Sequence, residues 1–264
     1  MVIKLDKKFD DLLNYIDSVS DQNKVKKEKN HLRRLWSFFI SIFTIILLVT
    51  SGYFIKIIVD NNTDFNESKS IVRELSNNNQ SSIDFDSLIK KNSDTVGWIK
   101  LPNTIIDYPV VRSNDNKFYL KNDFYKKKNV YGWIFADYRN EFPDLSKNTI
   151  IYGHNTSVGI MFGDLNNLLN KDWYNNEENK YIYFSTSIKD YKFQIFSVYK
   201  IQTTTDYLST YFTDDYKDFI QLIMGRSFID FNVDVNDEKI ITLSTCYNSS
   251  SSGIKLVVHA KMVN

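Results

Sequence analysis

The feature that most constrains this 264-residue chain is an uncharged apolar run near its N-terminus, residues 35–55. Its 21 residues, LWSFFISIFTIILLVTSGYFI, would span about 31 Å as a helix, close to the thickness of the hydrocarbon core of a bilayer. A buried core helix is usually shorter and carries a polar stripe. A secretory signal peptide has a shorter apolar segment, which starts nearer the first residue and ends at a small-residue cleavage site. The run therefore predicts a retained transmembrane anchor.

The charge on the two sides of this run predicts its orientation. Six Lys and Arg residues against one Glu lie in residues 24–34, whereas acidic residues outnumber basic ones in residues 56–74. The positive-inside rule predicts that residues 1–34 are cytoplasmic and that the chain after about Lys56 lies outside the cell. Trp36 and Tyr53, near the two ends of the run, suit the aromatic belts of a membrane interface.

The composition of the chain divides it into four parts. We predict a cytoplasmic tail over residues 1–34, a transmembrane anchor over 35–58, an extracellular stalk over 59–94 and a folded domain over 95–264. The stalk is rich in Asn, Ser and Asp, and two apolar clusters within it predict two short helices.

Short segments rich in Ile, Val, Tyr and Phe recur throughout the last part of the chain and predict strands. In the final one, Leu256, Val258 and Ala260 alternate with residues of the opposite face, as in a strand. One helical pattern, from Thr213 as its predicted N-cap to about Arg226, interrupts the strands. Many strands and one or two helices predict a mostly-β barrel or sandwich.

The composition also excludes several kinds of site. A single cysteine excludes an intramolecular disulfide and a multi-Cys zinc or iron–sulfur centre, and three scattered histidines argue against a His-rich metal site. A net charge of +1 gives no overall attraction to nucleic acid. We expect no metal, no organic cofactor and no nucleic-acid partner.

The single cysteine, Cys246, ends the strand-like segment IITLST and precedes a loop over residues 247–253. A lone cysteine is most often a small buried apolar residue. An unpaired cysteine outside the cell also indicates an intermolecular disulfide or a reactive thiol, and the end of a strand beside a loop is a typical position for a reactive group. This residue alone leaves these interpretations open.

A reactive thiol needs a base and a group that stabilises an oxyanion. His154 ends the strand-like segment TIIYGH in the same way that the cysteine ends its own, whereas His31 would be cytoplasmic and His259 lies within the last strand. The backbone N–H of Tyr247 and the side chain of Lys255 are candidate oxyanion donors. Lys255 could equally be an ordinary solvated lysine at a strand end.

Three motifs, YGHN at residues 152–155, TLSTC at 242–246 and KLVVHAK at 255–261, resemble those of the class B sortases. Further segments match the same family in the same order, and the resemblance extends over residues 93–263. These segments are DTVGWI at 94–99, IDYPVV at 106–111, DNKFYL at 115–120, GWIFAD at 132–137, NTII at 148–151 and IFSVY at 195–199.

The resemblance implies a specific fold and reaction. Sortases are membrane-anchored cysteine transpeptidases, mainly of Gram-positive bacteria, and the implied fold is an eight-stranded β-barrel with N-terminal helices and a helix between the sixth and seventh strands. The implied enzyme cleaves a C-terminal sorting motif of a secreted protein through a thioacyl intermediate at the Thr carbonyl. It then transfers the protein to an amine, usually of a peptidoglycan precursor.

The same resemblance assigns roles to residues of this chain. Cys246 is the implied nucleophile, and His154 the proton donor to the leaving amine and then the base toward the incoming amine. Ser244, Thr245 and Tyr247 are the expected substrate-binding residues.

The chain departs from the family at one position, because the third catalytic residue of sortases is an Arg and the matching residue here is Lys255. Lysine offers a compact point charge with three donors in place of the planar fork of arginine. We expect Lys255 to take the role, and leave open that Arg139 or Arg112 reaches the site or that the enzyme is slow. Two alternative functions also remain open, namely an impaired sortase-fold binding protein and a cysteine hydrolase that uses water as acceptor.

Overall fold

The computed structural model describes residues 2–77, 83–202, 204–246 and 253–263, and for residues 2–8, 77 and 246 it describes the backbone alone. Tyr247, one of the expected substrate-binding residues, lies outside the described residues. The chain divides into two compact units, Met1–Asp60 and Asn61–Asn264.

A single long helix, α1, runs over Val2–Asn77 and contains the apolar run. Its most apolar window has a mean hydropathy of 2.3 and none of that window is buried, so its length and composition suffice to cross a membrane. The prediction of a separate first helix in the stalk is wrong, because Ile71 and Leu75 are buried residues in the last turns of α1 itself. No Gly or Pro occurs between Lys56 and Asn77, so nothing in the sequence ends the helix earlier.

The second predicted stalk helix is present as α2, which covers Phe85–Lys91. The Asp84 side chain caps it by accepting a hydrogen bond from the backbone N–H of Ser87 at 3.0 Å. Leu88 is the buried residue of this helix and belongs to the main hydrophobic core.

The main core fills a closed barrel of eight strands, counted within the described residues, in the spatial order β1-β2-β3-β4-β7-β8-β6-β5. The barrel confirms the expected fold class. The strands are β1 Thr95–Lys100, β2 Asp107–Val111, β3 Phe135–Ala136, β4 Asn148–Gly153, β5 Tyr181–Ser185, β6 Asp190–Gln202, β7 Ile240–Cys246 and β8 Ile254–Met262. Short 3₁₀ helices occupy Phe118–Leu120, Gly163–Leu169, Lys171–Asn175 and Glu177–Lys180.

The alternation predicted for the last strand is present in β8. Leu256, Val258 and Ala260 lie in the core of the barrel, whereas Val257 lies in a second hydrophobic cluster on the outer face. Successive residues of a strand point to opposite faces, and an apolar face toward the core fixes the register of the strand.

The second cluster lies beneath helix α3, Tyr216–Gly225, which connects β6 to β7 as the family resemblance implies. The helix begins later than predicted, because Asp215 and not Thr213 is its N-cap residue, without a side-chain capping bond. The Phe212 ring packs 5.0 Å from the Tyr216 ring and 4.7 Å from the Phe219 ring, between centroids. This packing holds the preceding segment against the helix and outside it.

Candidate active site

The ends of three neighbouring strands meet at one edge of the barrel. Strand β4 pairs with β7 in parallel, and their ladder ends with Gly153 opposite Thr245. Strand β7 pairs with β8 in antiparallel fashion, and Cys246 stands opposite Lys255. Because His154 follows directly after Gly153, the predicted catalytic positions 154, 246 and 255 lie at adjacent ends of three paired strands.

The strand residues beside these positions define an inner and an outer face of the barrel. Ile151, Leu243 and Leu256 point into the core, so the residues next to them point outward. Ser244 confirms this direction, because its hydroxyl lies 3.0 Å from the hydroxyl of Tyr207, a member of the outer cluster. Cys246 follows two residues later and ends β7, and its side chain lies outside the described part of the chain.

A groove of about 200 Å³ opens at this edge. It combines apolar walls with hydroxyl, amide, imidazole and ammonium groups, as is usual for a site that binds a peptide in a defined orientation. Its lining residues are Asn116, Leu120, Phe135, Tyr152, Gly153, His154, Leu208, Ser244, Thr245 and Lys255. Four of the predicted site residues thus line one groove.

A larger depression of about 760 Å³ lies elsewhere on the barrel, beside β1, β5 and the start of α2. Its described lining includes Trp98, Tyr183 and Tyr191 but neither cysteine nor histidine. The smaller groove is the candidate active site because it lies at the end of the cysteine-bearing strand.

The imidazole of His154 is held in a defined orientation at the groove. Its Nε2 lies 2.9 Å from the backbone carbonyl oxygen of Leu120. A carbonyl oxygen only accepts hydrogen bonds, so Nε2 carries a proton and Nδ1 is the basic nitrogen of the neutral ring. The ring is half-buried and can reach solvent or substrate.

A buried carboxylate, Asp137, holds one wall of the groove. The Arg139 guanidinium binds it through two hydrogen bonds of 2.8 Å, and the Tyr152 hydroxyl and the Asn116 amide each donate at 2.9 Å. Burial raises the pKa of Asp137, but the hydrogen bonds from Arg139 and Tyr152 outweigh it and leave the pKa below its usual value. Burial, and then the Asp137 charge, raises the pKa of Tyr152, which therefore remains a donor.

The two arginines considered as substitutes for the family Arg are both engaged outside the lining of the groove. Arg139 binds Asp137 and donates to the carbonyl oxygen of Leu208 at 2.9 Å. Arg112 donates to the carbonyl oxygen of Asn140, and its guanidinium lies over the Phe142 ring. Lys255 is the cation that lines the groove, as far as the described residues extend.

The sequence interpretation missed several residues of the site. Asn116, Leu120 and Tyr152 belong to segments that match the family, but only the folded chain brings them to the groove. Leu208 lies in the segment between β6 and α3, where no hydrophobic period or motif distinguishes it from a loop residue.

The comparisons with known proteins agree with this geometry. A sequence profile of the sortase domain matches residues 99–263. Over 184 residues the chain is 41% identical to sortase B of Staphylococcus aureus, and this alignment covers 68% of this chain and 74% of that protein. Over 180 residues it is 39% identical to sortase B of Listeria monocytogenes, and this alignment covers 67% of this chain and 72% of that protein.

A solved structure with the same fold contains a substrate. The Staphylococcus aureus sortase B–substrate complex matches with a TM-score of 0.69 at 34% sequence identity, covering 78% of this chain and 99% of that chain. The eight-stranded barrel that the sequence motifs implied is therefore shared with a protein of known structure.

Proposed function

The chain belongs to the class B sortases, cysteine transpeptidases that anchor proteins to the cell wall, and we propose that Cys246, His154 and Lys255 carry out its reaction. The observation that carries this proposal is the pairing register, Gly153 opposite Thr245 and Cys246 opposite Lys255. It brings the single cysteine of the chain to the same strand edge as a histidine and a cation.

In the proposed reaction His154 takes the thiol proton of Cys246 at Nδ1, and the resulting thiolate attacks the carbonyl carbon of a Thr residue in the sorting motif. The C–N bond breaks, the new thioester holds the acyl part, and the leaving amine takes a proton from His154. A primary amine then attacks the thioester and gives its proton to His154, and the thiolate leaves. The acceptor amine is that of a peptidoglycan precursor.

Lys255 is the proposed source of positive charge beside the oxyanion of each tetrahedral intermediate. A lysine can donate one hydrogen bond and place its full charge there, but it cannot hold two carbonyl oxygens as the rigid fork of an arginine does. We therefore expect a functional but less tightly organised oxyanion site.

The substrate contacts extend along the β7 strand. Ser244 and Thr245 line the groove next to the nucleophile, and Tyr247 follows the nucleophile in sequence. We propose that these three residues contact the sorting peptide.

The long apolar helix supports a membrane-anchored arrangement. We propose that residues 35–58 span the membrane, that the tail over residues 1–34 is cytoplasmic, and that the stalk over residues 59–94 connects the anchor to an extracellular catalytic domain over residues 95–264. The sixfold basic excess before the run and the exposed apolar surface of α1 support this orientation.

The test is a transpeptidation assay on the full chain in detergent micelles. A peptide library with a fixed Thr, of the form X-X-X-Thr-X, is incubated with the enzyme with and without triglycine as a simple primary amine. Mass spectrometry should detect peptides joined to triglycine after Thr, and Cys246→Ser should yield none. If hydrolysed peptides form at the same rate with and without triglycine, the enzyme is instead a hydrolase.

A further inference from the structure

A histidine that the reaction does not use, His259, lies fully buried on the outer face of β8 beneath α3. Burial, with a further contribution from the Arg226 charge, lowers its pKa to about 3. Both ring nitrogens are bonded: Nδ1 lies 2.8 Å from the Thr242 hydroxyl and Nε2 lies 2.9 Å from the Tyr199 hydroxyl. A buried neutral imidazole can act as donor at one nitrogen and acceptor at the other.

The direction of these hydrogen bonds is determined by Asn148 at the far end. The Asn148 amide nitrogen donates to the carbonyl oxygen of Ser209 at 2.9 Å, so its Oδ1 faces Thr242 and accepts from that hydroxyl at 2.6 Å. The Thr242 oxygen must therefore accept from His259, and Nδ1 carries the proton. Nε2 is then the acceptor for the Tyr199 hydroxyl.

This chain of bonds ends on the segment that forms one wall of the groove. The Asn148 amide nitrogen also lies 3.5 Å from the carbonyl oxygen of Tyr207, so it contacts the backbone on both sides of Leu208. Leu208 lines the groove together with His154. The Tyr207 hydroxyl meets Ser244 on the cysteine-bearing strand, and Arg139 holds the Leu208 carbonyl.

The Nε2 atom of His259 is connected to the same segment, which contains Asp206 and Leu208, through a longer series of contacts. Tyr199, which bonds Nε2, also lies beneath Arg226, whose guanidinium carbon is 5.8 Å from the centroid of the Tyr199 ring. Arg226 in turn binds the Asp206 carboxylate through bonds of 2.5 and 3.0 Å. This route ends on an exposed side-chain pair, whereas the Asn148 route holds the backbone next to Leu208 directly.

We propose that His259 is a positioning residue that acts through Thr242 and Asn148 to fix Leu208 as a wall of the substrate groove. The inference rests on the proposed function, because it treats the groove as the binding site for the sorting peptide. The proposed effect depends on the hydrogen bond at Nδ1. His259 itself does not contact the substrate.

Two substitutions of His259 separate this role from a purely structural one. An asparagine places its amide nitrogen near the position of Nδ1 and can still donate to Thr242, whereas a glutamine reaches the position of Nε2 and keeps the bond to Tyr199 alone. Each variant loses one buried hydrogen bond, so their losses in thermal stability should be similar. They differ in the hydrogen bond that remains, which is the one to Thr242 in the Asn variant and the one to Tyr199 in the Gln variant.

The measurement is steady-state kinetics of the full chain in micelles, with the best peptide of the X-X-X-Thr-X library and triglycine. We expect His259→Gln to raise KM for the peptide about two- to tenfold with little change in kcat. We expect His259→Asn to stay within about twofold of wild type. Thr242→Val should behave like His259→Gln, and Tyr199→Phe like His259→Asn.

Equal KM values for the Asn and Gln variants at equal stability would overturn the inference and leave His259 a packing residue. If His259→Gln does not fold, Thr242→Val against Tyr199→Phe gives the same comparison. Wild-type turnover that Cys246→Ser abolishes tests the proposed function separately, so a failure of this inference is distinguishable from a failure of that assignment.

Discussion

Cys246 and Lys255 stand directly opposite each other in the antiparallel ladder of β7 and β8. Opposed residues of such a ladder share a face, and their Cβ atoms are about 4.5–5.5 Å apart. The ladder thus sets the distance between the backbones of the proposed nucleophile and of the proposed oxyanion donor. A positive charge beside a thiol also favours the thiolate, which is the reactive form.

Removing the charge at position 255 should therefore impair catalysis more than changing the shape of the charged side chain. We expect Lys255→Met to lower kcat/KM by about 10²–10³, the usual cost of losing one oxyanion contact. Lys255→Arg should retain or increase the wild-type rate, because the fork adds donors. Steady-state kinetics with a processed peptide measures both, and a Lys255→Met enzyme with the wild-type rate would remove Lys255 from the mechanism.

The role of His154 is tested by two substitutions that differ in the contact to Leu120. His154→Gln can keep a donor near the Leu120 carbonyl but has no basic nitrogen, whereas His154→Ala has neither. We expect both to reduce kcat by about 10²–10⁴, since loss of general acid–base catalysis is the common defect. Substantial activity in the Gln variant alone would mean that His154 positions the groove and does not transfer protons.

The buried Asp137 carboxylate should contribute to stability as well as to the groove wall. Asp137→Asn removes the charge that Arg139 binds and should lower the free energy of unfolding by about 1.5–3 kcal/mol. The matched control is Glu177→Gln, which breaks the exposed ion pair with Lys180 and should cost less than about 1 kcal/mol. Chemical denaturation in micelles measures both, and equal losses would show that Asp137 is no more than a surface charge.

The buried His259 predicts a specific dependence of stability on pH. Its pKa of about 3 in the folded protein lies below the value of 6.5 expected when unfolded, so between these two pH values the unfolded chain binds a proton at His259 and the folded chain does not. The contribution of the neutral ring to the free energy of unfolding is therefore complete above pH 6.5 and is lost as the pH falls toward 3. Between pH 7 and pH 5, wild type should lose about 2 kcal/mol more than His259→Asn. Parallel losses would contradict the neutral buried ring.

The orientation of the chain in the membrane is tested by cysteine labelling. In a Cys246→Ala background, Ser187→Cys lies in the exposed turn between β5 and β6, and Ser18→Cys lies in the tail. An impermeant maleimide should label Ser187→Cys in intact cells and Ser18→Cys only after permeabilisation. The opposite pattern would reverse the proposed topology.

Much of the barrel could be predicted because most of its strands carry their own signal, whereas β3, which is two residues long, was reached only through the family resemblance. Alternation in β8 fixed its inward and outward faces, and the placement of His154 and Cys246 at strand ends indicated a shared site. The parallel pairing of β4 with β7 could not be derived from periodicity, because these strands are far apart in sequence and become neighbours only when the barrel closes.

The features that escaped prediction depend on tertiary packing. His259 lies on the same face of β8 as Lys255 and Lys261, which is typical of a solvated face, yet α3 covers the middle of that face and buries the ring. The start of α3 at Tyr216 follows from the packing of Phe212, which overrides the local capping preference of Thr213. Leu208 lines the groove although its segment has no helix or strand pattern, and contacts from the Asn148 amide to the carbonyl oxygens of Tyr207 and Ser209 hold that segment in place.

The most direct test of the central claim is intact-mass spectrometry of the full chain during reaction with the X-X-X-Thr-X library in the absence of added amine. We expect a covalent adduct whose added mass equals the acyl part of a peptide ending at Thr, and triglycine should remove it. The adduct should be absent from Cys246→Ala. Peptide cleavage by Cys246→Ala, or an adduct that persists in it, would contradict Cys246 as the nucleophile.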